Sequence, residues 1–278
     1  MAEVVGVHGI AQERSTRERQ FRLWADSLGM ANAWRSGPMP TLAVAFYGWL
    51  FREGSPYLGP DEEPEDLGPE EEAFIVSALE EGLGETSNAD VTELDETRAT
   101  LGPPGIVPPA LLRGMAAIDR RFGGGTSVLR VGVLRQVYAY LHREGAGEVI
   151  RQDVLYEVGA DSRVLVGHSL GSVVTYDLLR RGMAPQVSTL VTLGSPLGLA
   201  TVRRALEAKF AGSNMGAVHW VNVYDDWDVV TGGNGLKPLA HEDFRVDNGR
   251  GDPHALTRYL RHAETATAIV AGVSGATS

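Results

Sequence analysis

The chain contains no cysteine. Disulfides, a thiolate nucleophile and thiolate-ligated metal centres are therefore excluded. Only Lys209 and Lys237 are lysines, and arginine carries the other basic charge. No stretch gathers enough of that charge to neutralise a run of phosphates. With a net charge of −11, a nucleic-acid partner is not expected. Arg14, Arg17, Arg19 and Arg22 come nearest, but Glu13 and Glu18 interrupt them, and the set reads as a solvated helix face. No apolar run is long enough to cross a membrane, and no basic region followed by an apolar core opens the sequence. These absences lead to the expectation of a cytoplasmic protein. The histidines are too scattered to suggest a zinc site, and no internal repeat is present.

What the chain does contain is 43% apolar residues over 278 positions, enough for a sizeable core. Its most informative stretch is Val164-Leu165-Val166-Gly167-His168-Ser169-Leu170-Gly171. The apolar run suits a buried strand. A helical pattern follows at once through Leu170, Val173, Val174 and Leu178, with Arg180 and Arg181 in its last turn and Gly182 as its stop. Strand, sharp turn and helix are the context in which Gly-x-Ser-x-Gly carries chemistry. The turn holds the serine strained, with its hydroxyl above the sheet edge. Side chains at Gly167 or Gly171 would collide where strand and helix pack, and the Leu170 N–H at the helix start can meet an oxyanion.

The rest of the chain alternates strand and helix. Strands are expected at Val4–Val7 running into His8-Gly9-Ile10, and at 41–47, 187–193, 219–224 and 243–246. Helices are expected at 16–31, where Phe21, Leu23, Trp24 and Leu28 are the apolar members, and at 127–143, 147–158, 200–210 and 255–270. Alternation of this kind predicts an α/β fold, a three-layer α/β/α sandwich with a mostly parallel sheet, in one domain over 1–278. Residues 51–125 differ in character, being rich in proline and acidic runs. Helices are expected there from Pro69 and over Pro109–Phe122, and Gly123-Gly124-Gly125 closes the region, which reads as an inserted cap over the site.

The Gly-His-Ser-Leu-Gly elbow in this context resembles that of the α/β-hydrolase superfamily, in the form common among its lipases and esterases. The resemblance covers the scaffold from Val4 onward but not 51–125. Because the chain opens at the His-Gly strand, it is expected to lack the two leading strands of larger members. The resemblance implies that the loop after that strand gives a second oxyanion donor, the N–H of Ile10. His8 is expected beside the site rather than as its base, since acid and base follow the serine in this superfamily. Gly194-Ser195-Pro196 resembles a turn of several lipase families, but no elbow surrounds Ser195.

A serine hydroxyl is a weak nucleophile at neutral pH and needs a histidine oriented by a carboxylate. Asp228, followed by Val229-Val230, matches the acid position of related lipases, with Asp225 and Asp226 as rivals nearer the strand end. Of the later histidines, His254 sits on a loop before the final helix, the position the resemblance implies for the base. His241 precedes the last expected strand, and His262 falls inside the expected helix. The expected activity is hydrolysis of a carboxylic ester with an apolar acyl group, through an acyl-enzyme on Ser169. Thioesterase or acyltransferase chemistry on the same three residues, and a non-catalytic binding protein of the same fold, remain alternatives.

No cofactor or metal is expected. Gly232-Gly233-Asn234-Gly235-Leu236-Lys237 lacks the spacing of a phosphate loop. Residues 247–252 lack the alternating oxygens of a calcium loop. Arg250-Gly251-Asp252 is a chance tripeptide in a Gly-rich loop.

Overall fold

The computed structural model describes residues 2–9, 12, 14–31, 39–52, 67–81, 108–209 and 215–275. Six short runs, mostly apolar except at the edge strand β6, form its strands: β1 Val4–Val7, β2 Leu42–Ala45, β3 Val164–His168, β4 Thr189–Leu193, β5 His219–Asp225 and β6 Glu242–Val246. They pair in the order β2-β1-β3-β4-β5-β6, and every pairing is parallel. Parallel strands need crossovers, and helices on both faces bury them, which is why β1, β3 and β4 carry no ionisable residue other than the terminal His168 and are buried at every position.

Nine α-helices lie among the described residues. They are α1 Arg17–Gly29, α2 Pro69–Glu81, α3 Pro109–Phe122, α4 Thr126–His142, α5 Ala146–Glu157, α6 Leu170–Arg180, α7 Ala200–Glu207, α8 Leu256–Tyr259 and α9 Ala263–Ser274. Their starts follow local chemistry. The Thr16 hydroxyl accepts the Arg19 N–H at 3.2 Å and caps α1. Pro69 opens α2 with three glutamates in its first turn, where the helix dipole favours negative charge.

The side chains of the sheet sort into two cores. Val5, Val7, Leu165, Leu190 and Trp220 pack with α2 to α7 on one face. Val4, Val164, Val166, Val191, Val221 and Val223 pack with α1, α8 and α9 on the other. The result is a three-layer α/β/α sandwich. Within 51–125, the helices at Pro69 and Pro109–Phe122 form as expected, and Ile75, Leu79, Leu111 and Ile118 are fully buried in the first core. Residues 53–66 and 82–107 lie outside the described residues.

Two expectations need correction. On α1, Phe21 and Leu23 are exposed, while Gln20 and Ser27 join Trp24 and Leu28 on the buried side. The Gln20 amide nitrogen donates to Ser15 Oγ at 2.9 Å, which satisfies that end of its side chain. The expected helix over 255–270 is broken between α8 and α9. His262 therefore does not lie inside a helix. It is the extended N-cap residue of α9, and its Nε2 meets Asn248 Oδ1 at 2.8 Å. At the break the Tyr259 carbonyl accepts both the His262 N–H at 3.3 Å and the buried Thr265 hydroxyl at 2.8 Å.

From β1 the chain crosses to β2 on one side of the sheet and later to β3 on the other. The crevice outside the carboxyl ends of β1 and β3 is thus the point where strand order reverses, the place where open α/β sheets hold ligands. Gly9 follows β1 and Ser169 follows β3.

Candidate active site

Ser169 joins β3 to α6 with φ 53° and ψ −125°. Among the described residues it is the one non-glycine residue with positive φ. Such a conformation costs of order 1–3 kcal/mol and persists only where its surroundings enforce it. Here they do. The Ser169 N–H donates to the Leu193 carbonyl at 3.0 Å, and its carbonyl accepts the Ser172 N–H at 2.9 Å and the Ser172 hydroxyl at 2.6 Å.

The flanking glycines are steric requirements, as expected. A Cβ on Gly167 would lie 2.6 Å from the Gly171 carbonyl oxygen, and one on Gly171 would lie 2.1 Å from the Val7 carbonyl oxygen. Gly9 is a third: its Cβ would sit 2.7 Å from the Ser169 Cβ. Glycines after β1, at the end of β3 and in the first turn of α6 therefore let the backbone close around one serine.

Asp228 and His254 are brought together. His254 Nδ1 meets Asp228 Oδ2 at 2.8 Å, and both side chains are buried. A carboxylate only accepts, so Nδ1 carries the proton, and Nε2 of the neutral ring is left as an acceptor. That Nε2 is buried and has no hydrogen-bond partner among the described residues, and the same holds for Ser169 Oγ. Buried polar atoms without partners are uncommon and call for an explanation. One is an acceptor and the other a donor, so each is what the other lacks.

Asp228 accepts two further hydrogen bonds, from the Tyr259 hydroxyl to Oδ2 at 2.7 Å and from the Val230 N–H to Oδ1 at 2.9 Å. Burial by itself would raise the Asp228 pKa, but the nearby His254 and the hydrogen bonds from His254, Tyr259 and Val230 bring it below the ordinary carboxylate value. The Tyr259 hydroxyl is pushed well above its usual range, by burial first and then by Asp228, so it stays a donor. The rival acids are engaged elsewhere. Asp225 is buried, with its carboxylate taking the Trp227 and Asn248 N–H groups. Asp226 pairs with Arg245 at 2.8 Å on the surface.

The other candidates are placed as follows. The Leu170 N–H opens α6 next to Ser169, where no carbonyl of the helix can reach it. Ile10 lies outside the described residues. His8 is buried and stacked on Tyr47 with ring centres 4.1 Å apart. Its Nε2 accepts the Tyr47 N–H at 3.2 Å, so its Nδ1 donates to the Gly9 carbonyl at 2.7 Å. Burial, opposed by that bond, holds its pKa down to about 4. Ser195 Oγ is paired with Ser172 Oγ at 2.7 Å and accepts the Leu197 N–H. His241 Nδ1 accepts the Trp220 N–H at 3.0 Å.

Sequence reasoning missed His168 and Arg130. The His168 ring lies 4.7 Å from that of His254, and its Nε2 meets the His254 carbonyl at 2.9 Å. Burial, with the neighbouring His254 as the next cause, pushes its pKa to about 3, so it stays neutral. As the variable position of Gly-x-Ser-x-Gly it carries no signal in the motif. Arg130 did carry one: it stands three and four residues before Val133 and Leu134, on the buried stripe of α4.

No family model matches the chain, and no match was found among curated proteins or solved structures. Among the described residues there is no group of three or more histidine, aspartate or glutamate side chains placed to hold a metal ion, and no helix long and apolar enough to cross a membrane.

Proposed function

We propose that the protein is a serine hydrolase of the α/β-hydrolase fold that cleaves a carboxylic ester bearing an apolar acyl group. What supports this reading is a strained Ser169 at the turn after β3, its Oγ buried and without a hydrogen-bond partner among the described residues, together with a buried His254–Asp228 couple whose Nε2 is likewise unpartnered there. The parallel order β2-β1-β3-β4-β5-β6, with the serine after β3 at the reversal of strand order, supports the hydrolase fold.

In this reading Ser169 Oγ attacks the ester carbonyl while His254 Nε2 takes its proton. The imidazolium so formed is stabilised by Asp228, and it returns the proton to the departing alkoxide. The Leu170 N–H, with that of Ile10, bonds the oxyanion. Water then attacks the acyl-enzyme by the same proton path. Tyr259 and Val230 hold the carboxylate still, so that His254 is presented in one orientation.

The test is labelling with a fluorophosphonate. The wild-type protein should be modified at Ser169, and Ser169→Ala should be folded and unmodified. Labelling that survives in Ser169→Ala would overturn the assignment. A panel of esters of increasing acyl length, with matching thioesters and amides, then defines the bond cleaved; faster turnover of thioesters would shift the reading to a thioesterase.

A further inference from the structure

Arg130 is fully buried in α4, and among the described residues no carboxylate bonds to it. Its Nη2 donates to the Ala78 carbonyl at 2.6 Å and its Nη1 to the Val229 carbonyl at 3.1 Å, while its Nε has no partner among the described residues. A buried guanidinium is costly unless fixed groups of opposite polarity face it. Ala78 lies in the last described turn of α2, where the helix dipole favours a cation. The second acceptor is more informative. The Val229 carbonyl and the Val230 N–H belong to one peptide group, and that N–H is the donor to Asp228 Oδ1 at 2.9 Å.

A trans peptide is planar, with its C=O and N–H pointing in opposite directions. A cation fixed on the carbonyl side therefore turns the N–H toward the opposite side, and the peptide dipole is favourably aligned with both charges. We infer that Arg130 is a positioning residue for Asp228, acting through the Val229–Val230 peptide, while its other arm fastens the same point to the end of α2. This rests on the hydrolase reading for its consequence in catalysis, but its geometry does not. Burial, with Arg121 opposing the charge and Glu81 and Asp228 favouring it, lowers the guanidinium pKa to about 10, so Arg130 remains a cation at neutral pH.

The experiment compares wild-type protein with Arg130→Met, which keeps the apolar stem, and Arg130→Lys, which keeps the charge but not the fork. NMR follows the Val230 amide and the downfield Nδ1 proton of His254. In Arg130→Met, Val230 exchange protection should fall by at least ~10-fold. The His254 Nδ1 signal should weaken or move, and the β3 amides should stay protected. The fluorophosphonate labelling rate should drop by roughly 10-fold or more. Arg130→Lys should recover part of each effect.

A folded Arg130→Met with wild-type Val230 and His254 signals would overturn the inference. So would loss of protection confined to α2, which would leave Arg130 as a helix cap. If Arg130→Met does not fold, Arg130→Lys and a coupling across the Arg130 to Val229 hydrogen bond in the wild type decide; absence of that coupling overturns it. Failure of the wild type to label would defeat the hydrolase reading alone, because the spectra need no substrate.

Discussion

At the scale of single residues, three aspartates within four positions have three different jobs. Asp228 meets His254, Asp225 braces the turn by accepting two backbone N–H groups, and Asp226 pairs with Arg245 in solvent. Asp228→Asn keeps the shape of the side chain but removes the charge that stabilises an imidazolium. A cost of at least ~10²-fold in acylation rate is expected, since the equivalent change in a serine protease costs ~10⁴-fold. Asp225→Asn should act on stability instead. Its amide would set N–H against the Trp227 or Asn248 N–H, at a cost of about 1–3 kcal/mol, readable as a lower urea midpoint with acylation largely kept. Asp226→Asn should change neither. Loss of acylation in Asp225→Asn or Asp226→Asn, with Asp228→Asn still active, would move the acid.

At the scale of elements, what the sequence made legible depended on how local each signal was. The elbow was readable because its cause is local: Gly167 and Gly171 are required by contacts within strand, turn and helix and with the neighbouring β1. The strands were readable as apolar runs because a parallel sheet is covered on both faces. The break between α8 and α9 was not, since neither proline nor glycine marks residues 260–262. It is decided by tertiary contacts, with Tyr259 drawn to Asp228 and Thr265 closing over the Tyr259 carbonyl. The burial of Gln20 on α1 was hidden likewise, because its partner Ser15 lies before the helix. The break itself gives a prediction. Thr265→Val nearly keeps the volume but removes the shorter of the two hydrogen bonds to the Tyr259 carbonyl, so unfolding free energy should fall by about 0.5–1.5 kcal/mol. Acylation should slow as Tyr259 loosens its hold on Asp228, as it should in Tyr259→Phe. Unchanged urea unfolding in Thr265→Val would show that the His262 N–H suffices for that carbonyl and that the break has a different cause.

At the scale of the whole molecule, two buried neutral histidines beside the site set how stability answers to acid. The pKa of His8 falls from its ordinary 6.5 to about 4, and that of His168 from 6.5 to about 3, with burial the largest cause in each. For His8 the hydrogen bonds agree. Protonating Nε2 would aim a donor at the Tyr47 N–H it now accepts. Both groups bind a proton in the unfolded chain before they do in the folded one. Lowering the pH below 6.5 therefore favours unfolding, and the loss continues to about 4 for His8 and about 3 for His168. Within that window each histidine contributes a slope of roughly 1 kcal/mol per pH unit, with stability rising toward neutral pH. The carboxylate of Asp228, held below its ordinary 3.8, adds its own loss only at the acid end. Urea unfolding measured at intervals from neutral pH down to about 4 should thus show a steep fall well above the carboxylate range. His8→Gln supplies an oxygen for the Tyr47 N–H and an N–H for the Gly9 carbonyl without a titrating ring. If that variant folds, its slope should be shallower than the wild type's by roughly 1 kcal/mol per pH unit. An identical slope would mean that His8 takes up its proton in the folded protein, and that the Gly9 backbone beside Ser169 is not held by a neutral imidazole.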